Sequence, residues 1–282
     1  MKSNNKTVIG IIGGTGKMGK WFRKFFEKNG CGVLICGKKT KLRHRELIEK
    51  SDIIIFSVPI GITVDLIKKY AKFAKKGQAI TDFTSIKEAP LNAMLKHAPK
   101  DVEVFGMHPV FGPSVLNIKD QAVVLCPGRG RKWFNWMKKL MQKKRAHVKV
   151  VSASKHDEMM AIIQGSTHFW TISFENALKK LDFDFNEMIA FASPIYKARM
   201  LLLGRIMVQD PELYAEILIQ NKDTLKVVRQ LRKSANDLEA IIKRKDKKAF
   251  VKYFKESAYF GDYTKKLGKQ SDNLLNKLND FG

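Results

Sequence analysis

The sequence predicts an α/β domain with a doubly wound, mostly parallel sheet, followed by an all-α domain. Short apolar runs rich in β-branched residues alternate with amphipathic helical patterns through the first half of the chain. That alternation is typical of a parallel sheet covered by helices on both faces, and near-continuous apolar runs indicate strands buried on both sides. Beyond that half the pattern is helical to the end. The domains are therefore predicted as 1–152 and 153–282.

Seven segments of the first domain are predicted as strands, because they are short, apolar and bounded by turn residues. In chain order they are 7–12, 32–36, 52–58, 78–83, 102–107, 122–126 and 147–151. Between them, apolar side chains recur every three or four residues, which predicts helices within 17–30, 61–77 and 87–98.

The second domain is predicted as four long helices. They cover about 155–181, 185–206, 211–243 and 246–279, and no strand-like run interrupts them. Ser154 followed by Asp157 resembles a capping box, in which both side chains accept backbone N–H groups at a helix start. The first of these helices is therefore expected to begin beside Ser154.

The composition is basic, with 53 Lys and Arg against 27 Asp and Glu and a formal net charge of +26 in 282 residues. The lysines are spread over nearly every segment, which favours a solvated lysine-rich surface. A basic nucleic-acid-binding protein on the same scaffold is the alternative from another functional class, and it is not favoured.

Targeting, membrane and metal signals are weak in this sequence. The N-terminal apolar run is short and breaks into glycines, unlike a signal peptide. No apolar run approaches the ~20 residues that a membrane helix needs. Three cysteines without paired spacing predict neither a disulfide framework nor a metal site. We therefore expect a cytoplasmic protein without a membrane partner.

The first predicted strand runs into GGTGKMG and then into a helical pattern. In that context a G-x-G-x-x-G spacing is the dinucleotide fingerprint of a Rossmann-type domain, whose glycines allow a tight turn, close approach of the pyrophosphate and close helix–strand packing. A purely structural turn is the alternative. The residues predicted to bind the coenzyme here are Gly14, Thr15, Gly16, Lys17, Met18 and Gly19.

The segment after the second strand bears on the choice of coenzyme. Sites that prefer NAD usually carry an acidic residue about 20 residues beyond the fingerprint, where it binds the ribose 2′-hydroxyl. Here the strand runs into GKKTK, and the first acidic residue is Glu46. We predict NADP over NAD, with Lys38 and Lys39, and either Arg43 or Arg45, on the 2′-phosphate. The alternative is that these are ordinary surface residues.

Two further segments follow predicted strands, at the edge where a doubly wound sheet binds its ligand. TDFTSIKEAP (81–90) offers Thr84, Ser85 and Lys87, and GMHPVFGPS (106–114) offers His108. A histidine has an ordinary pKa near 6.5, so His108 is a candidate acid–base residue. By position alone, a histidine that only packs is equally compatible.

Seven motifs in register resemble the prephenate dehydrogenases, especially the dehydrogenase part of the bifunctional chorismate mutase–prephenate dehydrogenases. They are IIGGTGKMG, SVPI (57–60), DFTSIK (82–87), MHPVFGP (107–113), KHDEMMAIIQGSTHF (155–169), SPIYKARMLLLGRIMVQDPELYAEI (193–217) and FGDY (260–263). Many families share the glycine fingerprint, whereas HPVFGP and GRIMVQDPELYA are specific. The resemblance runs from the first strand to the last helix.

The resemblance implies NAD(P)-dependent oxidative decarboxylation of prephenate to 4-hydroxyphenylpyruvate and CO2 in tyrosine biosynthesis. It implies that His108 accepts a hydrogen bond from the substrate C4 hydroxyl, that Ser85 orients this histidine or the hydroxyl, and that Arg205 binds a carboxylate. It places Gln164, His168 and Tyr214 at the substrate, and Ser57, Val58, Pro59 and Thr84 at the coenzyme. By position alone, His168 and Tyr214 are equally compatible with side chains that only pack in the helical domain. His156, beside Asp157 and twelve residues before His168, is interpreted as a structural or cap-region residue.

Other dehydrogenases stay in consideration. Arogenate dehydrogenase differs only in the substrate's amino group, and no acidic partner for that ammonium stands out in the matched motifs. A β-hydroxyacid-type dehydrogenase would need a lysine motif in the helical domain, which the sequence lacks. Because the first strand begins near residue 7 and no α/β module follows the helices, we expect neither a mutase nor a regulatory domain.

Apolar stripes in the helical domain predict an assembly. FWTISFENALKKL and MLLLGRIMV carry more apolar surface than one small domain covers, which favours a homodimer through this domain. The resemblance implies the same dimer.

Overall fold

A computed structural model describes residues 6–278. These residues form two compact units, an α/β unit of 6–161 with 219–222, and a helical unit of 162–218 with 223–278. The boundary predicted at 152 falls earlier than the change from one unit to the other at 161. The reason is that the helix following the last strand packs on the α/β unit.

The α/β unit contains a single seven-stranded sheet in the order β2-β1-β3-β4-β5-β6-β7. The strands are β1 (Val8–Ile12), β2 (Gly32–Cys36), β3 (Ile53–Phe56), β4 (Ala79–Asp82), β5 (Glu103–Pro109), β6 (Ala122–Arg129) and β7 (His147–Val150). β1 to β5 are mutually parallel, β6 runs antiparallel to β5, and β7 is parallel to β6. The mostly parallel sheet and all seven predicted strands are confirmed.

Helices cover both faces of the sheet, as predicted. In this unit they are α1 (Lys17–Lys28), α2 (His44–Glu49), α3 (Ile60–Tyr70), α4 (Glu88–His97), α5 (Lys132–Lys143) and α6 (Ala153–Met160). Ile11 lies in one apolar cluster with Phe22 of α1, and its neighbour Ile12 lies in another with Leu47 of α2. Successive strand residues point to opposite faces, so each face has its own core. α2 and α5 were not predicted.

The start of α6 corrects the predicted capping box. Ser152, not Ser154, is the N-cap, and its hydroxyl accepts from the Lys155 N–H at 3.2 Å. The Asp157 carboxylate turns away from its own helix and accepts the backbone N–H groups of Lys87 and Glu88 at 2.7 and 2.9 Å. It therefore stabilises the start of α4, where backbone donors lack partners within the helix.

The helical unit is more divided than predicted. A π-helical turn, Ala161–Gly165, leads into α7 (Ser166–Leu181), α8 (Phe185–Ala190), α9 (Pro194–Met207), α10 (Pro211–Gln220), α11 (Thr224–Lys243), α12 (Lys247–Ser257) and α13 (Asp262–Leu278). Each of the four predicted long helices is interrupted once. The second one breaks where Ser193 accepts from the Tyr196 N–H and Pro194 occupies the first turn of α9, the preferred residue types for those two positions.

Much apolar surface of the helical unit stays exposed in the single chain. α7, α8 and α9 contain no fully buried side chain. Trp170 in α7 is 51% exposed, and Phe191 and Val208, directly after α8 and α9, are 85% and 84% exposed. Across residues 6–278, no helix combines the length and the apolar character needed to cross a membrane.

Candidate active site

The glycine turn between β1 and α1 has the geometry of a phosphate-binding loop. Gly13 has a φ of +87°, which favours glycine, and a Cβ on Gly19 would lie 2.5 Å from the Gly13 carbonyl oxygen. Gly16 caps α1 without a side-chain hydrogen bond, and the first turn of that helix contains no acidic residue. The free N–H groups of a helix start attract anions. The residues present therefore fit a dinucleotide pyrophosphate.

The segments after β2 and β3 flank this turn. The chain leaves β1 for β2 on one side and returns to β3 on the other, and such a switch point is where open α/β sheets bind ligands. After β3, the Ser57 N–H donates to the Ile12 carbonyl at 2.8 Å, which holds Ser57–Pro59 beside the glycine turn. The structure therefore brings three predicted coenzyme-binding segments to one edge of the sheet.

The loop after β2 presents its lysines outward. The Gly37 N–H donates to Thr40 Oγ1 at 2.9 Å, and that hydroxyl donates to the Gly37 carbonyl at 3.0 Å. Lys38 and Lys39, between these two residues, are exposed. Thr40 thus closes a small loop with two cationic side chains at its tip.

The two arginines named with those lysines differ. Arg45 bonds to the Glu49 carboxylate at 3.1 Å and lies 5.0 Å from the centre of the Phe73 ring. Arg43 is exposed at the N-cap of α2. Since Arg45 is engaged elsewhere, Arg43 is the better placed of the two for a phosphate.

His108 lies near the end of β5 and forms one end of a buried polar chain. Its side chain is 2% exposed, and its Nδ1 lies 2.8 Å from Nε2 of His156, which is 1% exposed. Nδ1 of His156 in turn lies 2.7 Å from Oδ1 of Asp157. The sequence predicted a structural or cap-region role for His156 and did not indicate this contact. The available signal was the adjacent His-Asp pair at the start of a helix.

The surroundings keep both histidines neutral. Burial lowers the pKa of His108 well below its usual range, and the nearby His156 and the Lys87 ammonium lower it further. Burial also lowers the pKa of His156, although the hydrogen bond to Asp157 opposes this. Desolvation disfavours the charged imidazolium, so His108 is available as a proton acceptor at neutral pH.

The end of β4 and the segment after it contribute a second group of buried polar side chains. The Lys87 ammonium pairs with Asp82 Oδ2, and both side chains are fully buried. The Thr84 hydroxyl faces the same carboxylate and donates to the Ile86 carbonyl at 2.8 Å. The Thr84 side chain is thus turned inward, which does not support the coenzyme contact predicted for it. His156, and not Ser85, is the partner of Nδ1 of His108.

The helical unit gathers its own predicted substrate residues. The rings of His168 and Tyr214 meet edge to face with their centres 4.5 Å apart. Burial lowers the pKa of His168 to about 4. The pKa of the Tyr214 hydroxyl is raised by burial, an effect that the charge of Arg205 opposes. Arg205, at the end of α9, is exposed.

Two polar atoms in this cluster are buried without a protein partner. Among the described residues, Oε1 of Gln164 and Nδ1 of His168 make no hydrogen bond. Buried polar atoms are almost always satisfied in folded proteins, and the exceptions often await a ligand. No group of three or more histidine, cysteine or acidic side chains within residues 6–278 is arranged to hold a metal ion, and the three cysteines are free and buried.

Two family models match the chain. One is described as "Prephenate dehydrogenase, nucleotide-binding domain" and matches residues 28–150, and the other as "Prephenate dehydrogenase, dimerization domain", matching 152–256. A probable arogenate/prephenate dehydrogenase of Methanocaldococcus jannaschii is 38% identical over 98% of this chain and 66% of its own length. The T-protein of Haemophilus influenzae is 31% identical over 97% of this chain and 72% of its own. The chain thus spans about two thirds of the length of these relatives.

Solved structures show the same fold. Prephenate dehydrogenase from Aquifex aeolicus, in complex with hydroxyphenyl propionate and NAD+, superposes with a TM-score of 0.74 at 20% identity, over 92% of this chain and 98% of that one. Arogenate dehydrogenase from Synechocystis superposes with a TM-score of 0.70 at 16% identity, over 92% and 100%. At these identities the likeness concerns the fold alone.

Proposed function

The chain belongs to the prephenate dehydrogenase family, and on that premise we propose that it catalyses oxidative decarboxylation of prephenate. The hydride leaves ring C4, the ring carboxylate departs as CO2, and the product is 4-hydroxyphenylpyruvate. A bound nicotinamide coenzyme would supply the hydride acceptor. Aromatisation of the ring drives the reaction, so the tasks of the protein are positioning and charge handling.

The observation that carries this proposal is a buried, neutral histidine at the ligand-binding edge of the sheet. The C4 hydroxyl of prephenate must lose its proton as the carbon becomes oxidised. His108 can take that proton because burial and the Lys87 charge keep its ring unprotonated. The Ser85 hydroxyl, three residues after Asp82, remains a proposed partner for the substrate hydroxyl.

Carboxylate binding is assigned to the helical unit. We propose that Arg205 binds a carboxylate of prephenate, a task for which its planar guanidinium with two parallel donors is suited. Gln164 and His168 would then satisfy their unpartnered polar atoms on the substrate. Tyr214, which packs on His168, would line the same position.

The test is direct. Purified protein is mixed with prephenate or with arogenate, and reduction of either coenzyme is followed by absorbance. We expect turnover of prephenate. His108→Asn should lower kcat by about 10²- to 10⁴-fold with coenzyme binding retained, and Arg205→Ala should mainly raise the KM for prephenate. A His108→Asn rate near that of the wild type would refute the mechanism, and turnover of arogenate alone would reassign the substrate.

We further propose that NADP is the preferred coenzyme. Support comes from the exposed Lys38 and Lys39 in a loop closed by Thr40. It also comes from the segment after β2, where no acidic residue that could bind a ribose 2′-hydroxyl occurs before Glu46. Similar proteins differ in coenzyme: the Aquifex aeolicus structure contains NAD+, and a 26% identical Schizosaccharomyces pombe relative is named a probable NADP(+)-dependent prephenate dehydrogenase.

A pair of charge-matched variants tests the coenzyme choice. Lys38→Ala with Lys39→Ala should lower kcat/KM for NADP by about tenfold or more and leave that for NAD nearly unchanged. The control, Lys24→Ala with Lys28→Ala, removes the same charge from exposed positions of α1 and should alter neither value. A wild-type preference of about tenfold for NAD would refute the proposal.

We also infer a homodimer through the helical unit. α7 to α9 bury no side chain completely in the single chain, and exposed apolar patches of this kind mark interfaces. The match to a dimerization domain over 152–256 supports this assignment.

A further inference from the structure

Asp157, His156 and His108 form a directional hydrogen-bond chain that ends at the proposed catalytic ring. We propose that Asp157 and His156 fix His108 in a single neutral tautomer, protonated on Nδ1 and unprotonated on Nε2. His156 and Asp157 would then be positioning residues, because they act on the substrate only through His108. The consequence for catalysis rests on the function proposed above, whereas the tautomer itself does not.

The direction of the chain begins at the Asp157 carboxylate. An ionised carboxylate only accepts hydrogen bonds. Its two oxygens are held in place by backbone N–H groups, with Lys87 N–H on Oδ1 at 2.7 Å and Glu88 N–H on Oδ2 at 2.9 Å. Oδ1 also lies 2.7 Å from Nδ1 of His156. That nitrogen must therefore carry the hydrogen.

The next step follows from the neutrality of His156. With its hydrogen on Nδ1, the neutral ring has an unprotonated Nε2, which can only accept. Nδ1 of His108 lies 2.8 Å from that atom, so it must donate. The hydrogen of the His108 ring is thus donated to His156. Nε2 of His108 carries no hydrogen and can accept one from the substrate. The opposite tautomer would place two lone pairs face to face in a buried position, which is costly.

The ionisable groups around His108 and His156 do not reverse the direction of these hydrogen bonds. On the strand and loop side the charged groups are Lys87 and Asp82, which form an ion pair, and the Lys87 ammonium lowers the pKa of both histidines and so favours their neutral rings. On β6, burial raises the pKa of the Cys126 thiol to about 12, so this residue is uncharged. On α6, Asp157 is the only charged group that bonds to either histidine within the described residues. The chain therefore holds neutral rings and no excess proton.

Asp157 is itself held from several directions. Its backbone carbonyl accepts from Asn221 Nδ2 at 2.8 Å, and Glu88, whose N–H binds the Asp157 carboxylate, pairs through its own carboxylate with the Lys222 ammonium at 2.7 Å. Because the carboxylate also stabilises the start of α4, the position of the His156 ring is coupled to the segment that carries Ser85.

The tautomer can be measured without any substrate. In protein labelled with ¹⁵N at its six histidines, the ¹⁵N chemical shift separates protonated from unprotonated ring nitrogens, and His108→Asn assigns the signals. We expect a protonated Nδ1 and an unprotonated Nε2 on His108 at neutral pH. A protonated Nε2 in the wild-type protein would overturn the proposal, whether or not prephenate is turned over.

Variants test the coupling to catalysis. His156→Asn keeps an amide near Asp157 but removes the acceptor for His108 Nδ1. We expect mixed tautomers and a fall in kcat of about tenfold or more, with KM for prephenate changed by less than about threefold. His156→Gln, whose amide oxygen can approach the Nε2 position, should recover part of kcat.

Ser152→Ala is the matched control. It removes the N-cap hydroxyl of α6 but none of the three residues in the chain, so it should lower the Tm and leave kcat, the KM for prephenate and the His108 tautomer unchanged. If His156→Asn behaves like Ser152→Ala, His156 is only structural and the proposal is wrong. Absence of activity in the wild-type protein with the expected tautomer present would instead refute the proposed function alone.

Discussion

Replacement of Lys87 by methionine should strongly destabilise the α/β unit. The Lys87 ammonium and the Asp82 carboxylate form an ion pair in which both side chains are fully buried. Methionine has a similar length but no charge, so Lys87→Met leaves the carboxylate buried without a counter-ion. The segment between these residues carries Ser85, and the Lys87 backbone N–H bonds to Asp157.

The magnitude follows from what Asp82 retains. Its Oδ2 still accepts the Thr84 N–H at 3.0 Å and contacts the Thr84 hydroxyl, while Oδ1 has no partner among the described residues. Removal of one member of a buried ion pair costs about 3–5 kcal/mol. That is a large part of the ~5–15 kcal/mol by which a folded domain is stable.

The assay is urea unfolding followed by tryptophan fluorescence, because three of the four tryptophans, Trp21, Trp133 and Trp136, belong to the α/β unit. Lys87→Met with Asp82→Asn should recover about half of the lost free energy or more, because the amide is neutral and its oxygen can still accept from Thr84. A loss below about 1 kcal/mol for Lys87→Met would match an exposed ion pair. That result, or a double variant less stable than the single one, would refute the reasoning.

Three other expectations follow from the structure. Gly19→Ala should weaken coenzyme binding by about tenfold or more and lower stability by about 1–3 kcal/mol, because its Cβ would lie 2.5 Å from the Gly13 carbonyl oxygen. Gly268→Ala, with no atom near its added Cβ, is the control, and equal effects in thermal unfolding and coenzyme titration would contradict the prediction. The Tm should fall as pH decreases below the ordinary histidine value near 6.5, because burial lowers the pKa of His108, His156 and His168 in the folded chain and the unfolded chain then binds more protons. A Tm that rises as pH decreases through this range would contradict that sign. Light scattering at micromolar concentration should show twice the 32.2 kDa mass of one chain, and the mass of a single chain would exclude the dimer.

The strands were predictable because their signal is local. Runs such as 52–58 are apolar on both faces, and a buried parallel strand needs that composition wherever it lies in the sheet. The short helix α2 was missed because six residues show too little periodicity. The breaks in the helical unit were missed for a different reason. Ser193 and Pro194 mark a helix start, but they lie inside a longer apolar pattern that suggested one continuous helix.

The part of the candidate site that was predictable is the part where the local backbone conformation dictates the residue type. The glycine turn needs a positive φ at Gly13 and space at Gly19, and both requirements are visible in the residue types. The partner of His108 was not predictable in this way. His156 is 48 residues away, and on its own helix it stands beside an acidic residue that suggested a cap.

The sequence alone therefore determined the seven strands and their order along the chain, the glycine turn, and His108 as the candidate acid–base residue, because periodicity and turn chemistry act within a few residues. Only the tertiary structure decided what His108 bonds to. Docking of α6 on the sheet brings His156 to 2.8 Å from Nδ1 of His108, and the carboxylate that orients His156 is held by the start of α4. Hydrogen bonds between distant segments depend on how helices pack, and no local pattern records that packing.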